Sequence, residues 1–79
     1  MSYSGFQLGD YLIRYDENNQ SEPEYIAKVI YDTSVIQVVV ITSFINGYSA
    51  GEILVPYLPC CKKISFEEVT FYMLQNRVR

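Results

Sequence analysis

The chain has 79 residues, of which 49% are hydrophobic and 19% are charged, and its formal net charge is −3. This composition is typical of one small globular domain with a thin core, and it excludes a disordered chain. The low content of Lys and Arg argues against non-specific binding of duplex nucleic acid, which depends on cations that neutralise phosphates.

The first part of the chain predicts two β-strands separated by a polar loop. In YLIRY, residues 11–15, the side chains alternate with the two-residue period of a strand. The segment DENNQSEPE, residues 16–24, has four acids and no aliphatic residue, and it predicts a mobile, solvated loop. The alternation returns in EYIAKVIYD, residues 24–32, which predicts the second strand.

The middle of the chain predicts a third strand that is apolar on both faces. VIQVVVITSF, residues 35–44, places aliphatic side chains on either side of its backbone, so both faces need a cover. The pair Asn46-Gly47 predicts a tight hairpin, because both central residues of the favoured turn need positive φ. That turn would fold residues 48–57 back onto the third strand, with Gly51 in a bulge and Pro56 at a strand end or sheet edge.

The last segment predicts a helix over residues 65–76. Ser65 and Glu68 fit a capping box, and Ile64 and Val69 can form a hydrophobic staple around it. Val69 also falls on one helical stripe with Phe66 and Met73. We expect this helix to shield one side of the third strand or to plug an open end of the sheet.

These elements predict a mainly β fold in a single domain over residues 1–79, with about five antiparallel strands curled into a small barrel and a short C-terminal helix. The segments FQLGDYLI, residues 6–13, and YIAKVI, residues 25–30, with the polar loop between them, resemble an SH3-like barrel of the KOW or Tudor kind. The resemblance implies a module that binds peptides, RNA or proteins through aromatic residues near its loops. The chain departs from it by having no tryptophan and few basic residues.

The side-chain inventory argues against an enzyme. The chain has no histidine, the commonest general base. Cys60 and Cys61 are adjacent, so a disulfide between them would be strained, and two thiols cannot complete a four-ligand zinc site. Lys62 and Lys63 could lower a thiol pKa, but the favoured interpretation is structural, with Cys60 in the core. We therefore predict reduced cysteines, no metal or cofactor, and a cytoplasmic location; no segment reaches the roughly 18 apolar residues that span a membrane.

By elimination, the sequence favours a protein-binding module. The chain has eight tyrosines, whose large apolar rings and polar tips suit protein interfaces. The acidic loop can steer a basic partner by its charge. By analogy with other small acidic proteins, we expect an accessory or inhibitory factor of the phage or viral type. The predicted contact residues are Tyr15, Asp16, Glu17, Glu22, Glu24, Tyr25 and Tyr48.

Two alternatives stay open from the sequence. The first is a module for single-stranded nucleic acid, in which Arg14 and Lys28 share one outer face with tyrosines that stack on bases. The second is self-assembly, in which the strand predicted over residues 35–44 pairs with its copy across a two-fold axis.

Overall fold

The computed structural model describes residues 5–19 and 21–78, and the side chains of residues 5–19 and 21–75. Five antiparallel strands form one sheet, followed by a helix, α1 (Phe66–Val78). The strands are β1 (Tyr11–Tyr15), β2 (Pro23–Asp32), β3 (Ile36–Ser43), β4 (Ile53–Leu54) and β5 (Cys61–Ile64). The mainly β class and the C-terminal helix are confirmed.

The strands follow the spatial order β4-β3-β2-β1-β5. β4 and β5 therefore form the two edges, and no hydrogen-bonded ladder joins them in the described part of the chain, so the sheet is open. A short 3₁₀ turn, Leu58–Cys60, connects them.

Each face of β3 is covered by its own chain. The inner face carries a buried cluster that includes Leu12, Val38 and Val40, over which Tyr48 and Leu58 pack. The outer face carries a second cluster, formed by Ile13, Ile26, Ile64 and the helix residue Val69. Because successive strand residues point to opposite faces, one apolar run supplies both clusters.

The polar loop is shorter than the sequence predicts. β2 begins at Pro23, so residues 16–22 form the loop and Glu24 lies in a strand. The base of the loop is closed by a hydrogen bond from Asp16 N to Glu22 O of 2.9 Å. Inside the loop, Asn18 N donates to Asp16 Oδ1 at 2.7 Å, an arrangement typical of Asx turns.

The turn that leads to β4 lies later than predicted. Asn46 and Gly47 do lie in a turn, but neither has positive φ, so the tight hairpin turn predicted there is wrong. Among the described residues, positive φ occurs only at Gly5, Gly9 and Gly51. Gly47 therefore lacks the backbone conformation that the predicted turn requires. The chain instead turns over residues 49–52, where Glu52 N donates to Ser49 O at 3.1 Å and Gly51 has φ of 91°.

The bulge predicted at Gly51 is confirmed by its hydrogen bonds. Gly51 N donates to Val40 O at 2.7 Å, and Val40 N donates to Glu52 O at 2.8 Å. Two residues of one strand thus oppose a single residue of its partner, with a glycine at positive φ in the first position, which is the pattern of a G1 bulge.

The start of α1 matches its sequence signature. Glu68 N donates to Ser65 Oγ and Ser65 N donates to Glu68 Oε1, both at 3.1 Å, so the capping box is confirmed. The predicted stripe holds at Val69 but is wrong for Phe66 and Met73, which are 64% and 37% exposed. Val69 and Tyr72 pack in the outer cluster, and the ring centroid of Phe66 lies 5.7 Å from that of Tyr11 in β1. Apolar residues surround this helix, and their spacing alone does not select the buried face.

Candidate functional site

One end of the sheet brings polar and aromatic side chains together on the inner face. Arg14 in β1 is the register partner of Cys61 in β5 and of Tyr25 in β2, and Tyr25 is the partner of Ser43 in β3. Directly opposed residues in antiparallel strands point to the same side, so these four form a row across the sheet. Loop 16–22 leaves the sheet beside this row.

A β-bulge turns Glu24 towards Arg14. The register shifts between Arg14, which faces Tyr25, and Tyr15, which faces Pro23, so Glu24 is the extra residue of β2. Glu24 Oε1 lies 3.1 Å from Arg14 Nε, and each side chain is 16% exposed. Bulges re-aim side chains in this way at sheet ends.

The Arg14–Glu24 contact is an ion pair without a well-aligned hydrogen bond, since Arg14 Nε is buried and has no hydrogen-bond partner of good geometry among the described residues. Burial by itself lowers the pKa of Arg14. The negative charge of Glu24, assisted by neighbouring groups, outweighs that effect and raises the pKa above its ordinary value, so the guanidinium stays charged.

Besides Tyr25, its register partner, Arg14 has Tyr57 and Tyr48 nearby. Its guanidinium carbon lies 6.0 Å from the ring centroid of Tyr57, within the range of a cation–π contact. The rings of Tyr25 and Tyr48 lie 4.7 Å apart at 58°, a tilted aromatic pair. We call this group the tyrosine end, defined by Arg14, Glu24, Tyr25, Tyr48 and Tyr57.

Tyr25 is the first correction to the predicted contact residues. Its side chain is fully buried, so in this structure it cannot contact a partner and instead supports Tyr48 from beneath. Desolvation raises the pKa of its hydroxyl, with Cys61 adding to the effect and Arg14 opposing it. The Tyr25 phenol therefore stays neutral at physiological pH.

The remaining predicted residues separate into two groups. Glu17 and Glu22 are exposed on the loop, whereas Tyr15, Asp16 and Tyr48 are half-buried. Tyr15 also lines an open cleft of about 210 Å³. The other residues that line it are Pro59, Cys60, Cys61 and Lys62. The cleft is smaller than the ~300–1,000 Å³ of typical small-molecule sites.

Tyr57 was not found by sequence reasoning. It is 52% exposed and directly precedes the 3₁₀ turn. The signal available was its position between Pro56 and Leu58-Pro59, where proline keeps the chain out of a strand and brings a tyrosine to a loop.

Arg14 and Lys28 lie on opposite faces, which corrects the shared surface predicted for nucleic acid. Lys28 is the register partner of Tyr11, and its ammonium lies 5.7 Å from the centroid of that ring. Tyr11 packs against the outer cluster, whereas Arg14 is paired with Tyr25 on the inner face. The two cations therefore cannot contact one strand of nucleic acid side by side.

The surface predicted for self-assembly is also corrected. β3 pairs with β2 on one side and with β4 on the other. It is thus an interior strand, and its paired backbone groups are not free to bind a copy. Val35 and Phe44, the ends of the predicted strand, lie outside β3.

The Cys61 thiol does not have the properties of an activated nucleophile. Both cysteines are free and half-buried. Desolvation raises the pKa of the Cys61 thiol to about 11, although the charge of Arg14 opposes the shift. A reactive cysteine needs a lowered pKa, so this shift is in the wrong direction. In the described part of the chain, no group of three His, Cys, Asp or Glu residues is placed to hold a metal ion.

Comparison with protein-family models, with curated proteins and with solved structures finds no match for this chain. Among the described residues, no helix has the length and apolar character needed to cross a membrane.

Proposed function

We propose that this protein is a non-enzymatic binding module that contacts another protein through the tyrosine end and the adjoining loop 16–22. The observation that carries the proposal is the grouping of half-exposed tyrosines around a charged arginine at one end of the sheet. Tyrosine and arginine, with tryptophan, are enriched at the energetic centres of protein interfaces.

The proposal includes an SH3-like arrangement of the strands. The order β4-β3-β2-β1-β5, the long loop between β1 and β2, and the 3₁₀ turn between β4 and β5 support it. In this arrangement the tyrosine end lies at the rim of a curled sheet, and a bound segment contacts side chains there without disturbing the core.

The charge at this end favours a basic partner. Loop 16–22 carries Asp16, Glu17 and Glu22, and the last two are exposed. Glu24 is paired with Arg14 and contributes little free charge. Complementary charge raises the rate of association and selects against acidic partners. We therefore expect a partner segment in which a Lys or Arg lies beside an apolar residue that packs on Tyr57.

The test selects a displayed random-peptide library on the purified protein and measures the affinity of the enriched peptides by calorimetry. Basic peptides should be enriched. The double variant Glu17→Gln/Glu22→Gln should bind them several-fold more weakly, whereas the matched double variant Glu52→Gln/Glu67→Gln, with the same change in net charge, should bind as the unchanged protein does.

A second variant pair tests the aromatic contact. Tyr57→Ala should weaken peptide binding at least about tenfold, whereas Tyr57→Phe, which keeps the ring, should retain most of the affinity. Amide chemical-shift changes should map to residues 14–24 and to Tyr48 and Tyr57, and not to the turn that holds Glu52. The proposal fails if the shifts map elsewhere, if both charge variants bind equally, or if a single-stranded RNA oligomer binds at low salt and no peptide does.

A further inference from the structure

The two edges of the sheet are protected differently. β5 carries Lys62 and Lys63, which are exposed, and lysine on an edge strand discourages pairing with another chain. β4 carries Ile53, and Val55 follows the strand; each of these side chains is 61% exposed. The one neighbouring acid, Glu52, accepts a hydrogen bond from Ser49 N at 3.2 Å within its own turn. The β4 edge is therefore apolar at Ile53 and Val55, and Glu52 lies at its start, where it is engaged in its own turn.

The hydrogen-bond pattern shows which backbone groups this edge offers. Val40 N donates to Glu52 O, and the ladder continues with the pairs Val39 with Ile53 and Val38 with Leu54. Bonded and non-bonded pairs alternate in an antiparallel ladder. Leu54 therefore directs its N–H and C=O towards β3, whereas Ile53 directs both groups outwards.

The same alternation extends past the end of β4. Exposure falls from Ile53 to the half-buried Leu54, rises again at Val55, and falls to the buried Pro56. Val55 thus repeats the orientation of Ile53, with its backbone groups on the open side. Pro56 repeats the orientation of Leu54, so its missing N–H lies on the inner side and does not interrupt the outer edge.

We propose that this edge binds a second copy of the chain, with the two β4 segments antiparallel across a two-fold axis at Leu54. In this register, the outward N–H and C=O of Ile53 bond those of Val55 in the second copy, and the symmetry repeats the pair. Leu54 lies opposite Leu54 of the second copy as a non-bonded pair, which is the closer of the two spacings in an antiparallel ladder.

The edge is complementary to itself in side chains as well as in backbone. Ile53 shares the outer face with Val39, its partner in β3. The two-fold axis places Ile53 beside Val55 of the second copy, so aliphatic side chains from both copies form one cluster. Glu52 lies opposite Pro56 of the second copy, so the acids do not face one another. A foreign strand would need aliphatic side chains at the two positions that pair with Ile53 and Val55, whereas a second copy has them already.

The contact is small. The paired segment involves a few residues per copy, well under the ~800 Å² per partner of a standard interface. We therefore expect a weak dimer, with a dissociation constant on the order of 0.1 mM.

The test is sedimentation equilibrium of the full chain between about 10 μM and about 1 mM, a range that spans the expected dissociation constant. The unchanged protein should pass from monomer towards dimer. Ile53→Lys should weaken association at least about tenfold, because it adds charge to the edge. Phe71→Lys, at a helix residue that is 58% exposed, should leave association unchanged.

Amide hydrogen exchange supplies a readout that needs no variant. The amides of Ile53 and Val55 should gain protection as the concentration rises, whereas the Leu54 amide, which already bonds β3, should be protected throughout. A monomer at about 1 mM overturns the proposal, as does an association that Phe71→Lys abolishes and Ile53→Lys spares. If Ile53→Lys unfolds the protein, Val55→Lys and the exchange pattern still decide the outcome.

Discussion

The turn before β4 can be tested with two glycine-to-alanine substitutions that differ in backbone conformation alone. Gly51 has φ of +91°, and no heavy atom lies within 4 Å of the position that a Cβ would take. Gly51→Ala therefore causes no clash, and its cost is the strain of an L-residue at positive φ. That strain is about 1–2 kcal/mol, and each kcal/mol lowers the Tm of a domain this size by about 4–8 °C.

Gly47→Ala is the matched control. Gly47 is outside the positive-φ region, and a Cβ there would meet only Ile45 Cδ1 at 3.9 Å, an ordinary contact. Because alanine reduces the conformational freedom of the unfolded chain, Gly47→Ala should leave the free energy of unfolding unchanged or raise it by up to about 1 kcal/mol. Urea unfolding followed by circular dichroism measures both variants. If Gly47→Ala is the more destabilising, positive φ is needed at Gly47 rather than at Gly51, and the reasoning is refuted.

Two more predictions concern the helix start and the half-buried thiol of Cys61. Ser65→Ala and Glu68→Ala should each lower the free energy of unfolding by about 1 kcal/mol. The double variant should lose less than the sum of the two single losses, because both residues belong to one capping box. Additive losses in urea unfolding would contradict the reciprocal hydrogen bonds. The pKa of Cys61 is raised from 9.0 to about 11, so the stabilising effect of the neutral thiol is complete below pH 9 and is lost as the pH rises towards 11. In thermal melts at different pH, the Cys61→Ala variant should not show this loss of stability between pH 9 and pH 11. The prediction is contradicted if the difference in Tm between the unchanged protein and the variant stays constant over that range.

Features that depend on near neighbours in the chain could be predicted from the sequence. The reciprocal bonds of Ser65 and Glu68 join residues three apart, and the bulge at Gly51 requires a residue tolerant of positive φ. The tight hairpin at Asn46-Gly47 is predicted on equally good local grounds, but the turn found at these residues lacks positive φ and does not lead directly into β4. The chain keeps Phe44 on the outer cluster and Tyr48 on the inner one, so the segment between them crosses from one face to the other before it turns.

The candidate site could be predicted only as a region, because its geometry depends on β-bulges. The ladders of β2 shift register at three places, beside Glu24, Ile30 and Ile41. None of these residues is a glycine, and each shift changes which later side chains share a face. Simple alternation puts Glu24 on the face opposite Tyr25, yet the bulge brings its carboxylate to Arg14.

The pairing of Glu24 changes what the acidic loop can do. Glu24 was predicted to attract a basic partner together with the other loop acids, but its charge is largely cancelled by Arg14, which lies within 3.1 Å. In the proposed binding function, attraction of a partner would therefore depend on Asp16, Glu17 and Glu22, which precede the bulge. Arg14 contacts both the Glu24 carboxylate and the ring of Tyr57. The bulge thus makes Glu24 a positioning residue for the arginine, and removing its charge should disturb the tyrosine end more than it reduces long-range attraction.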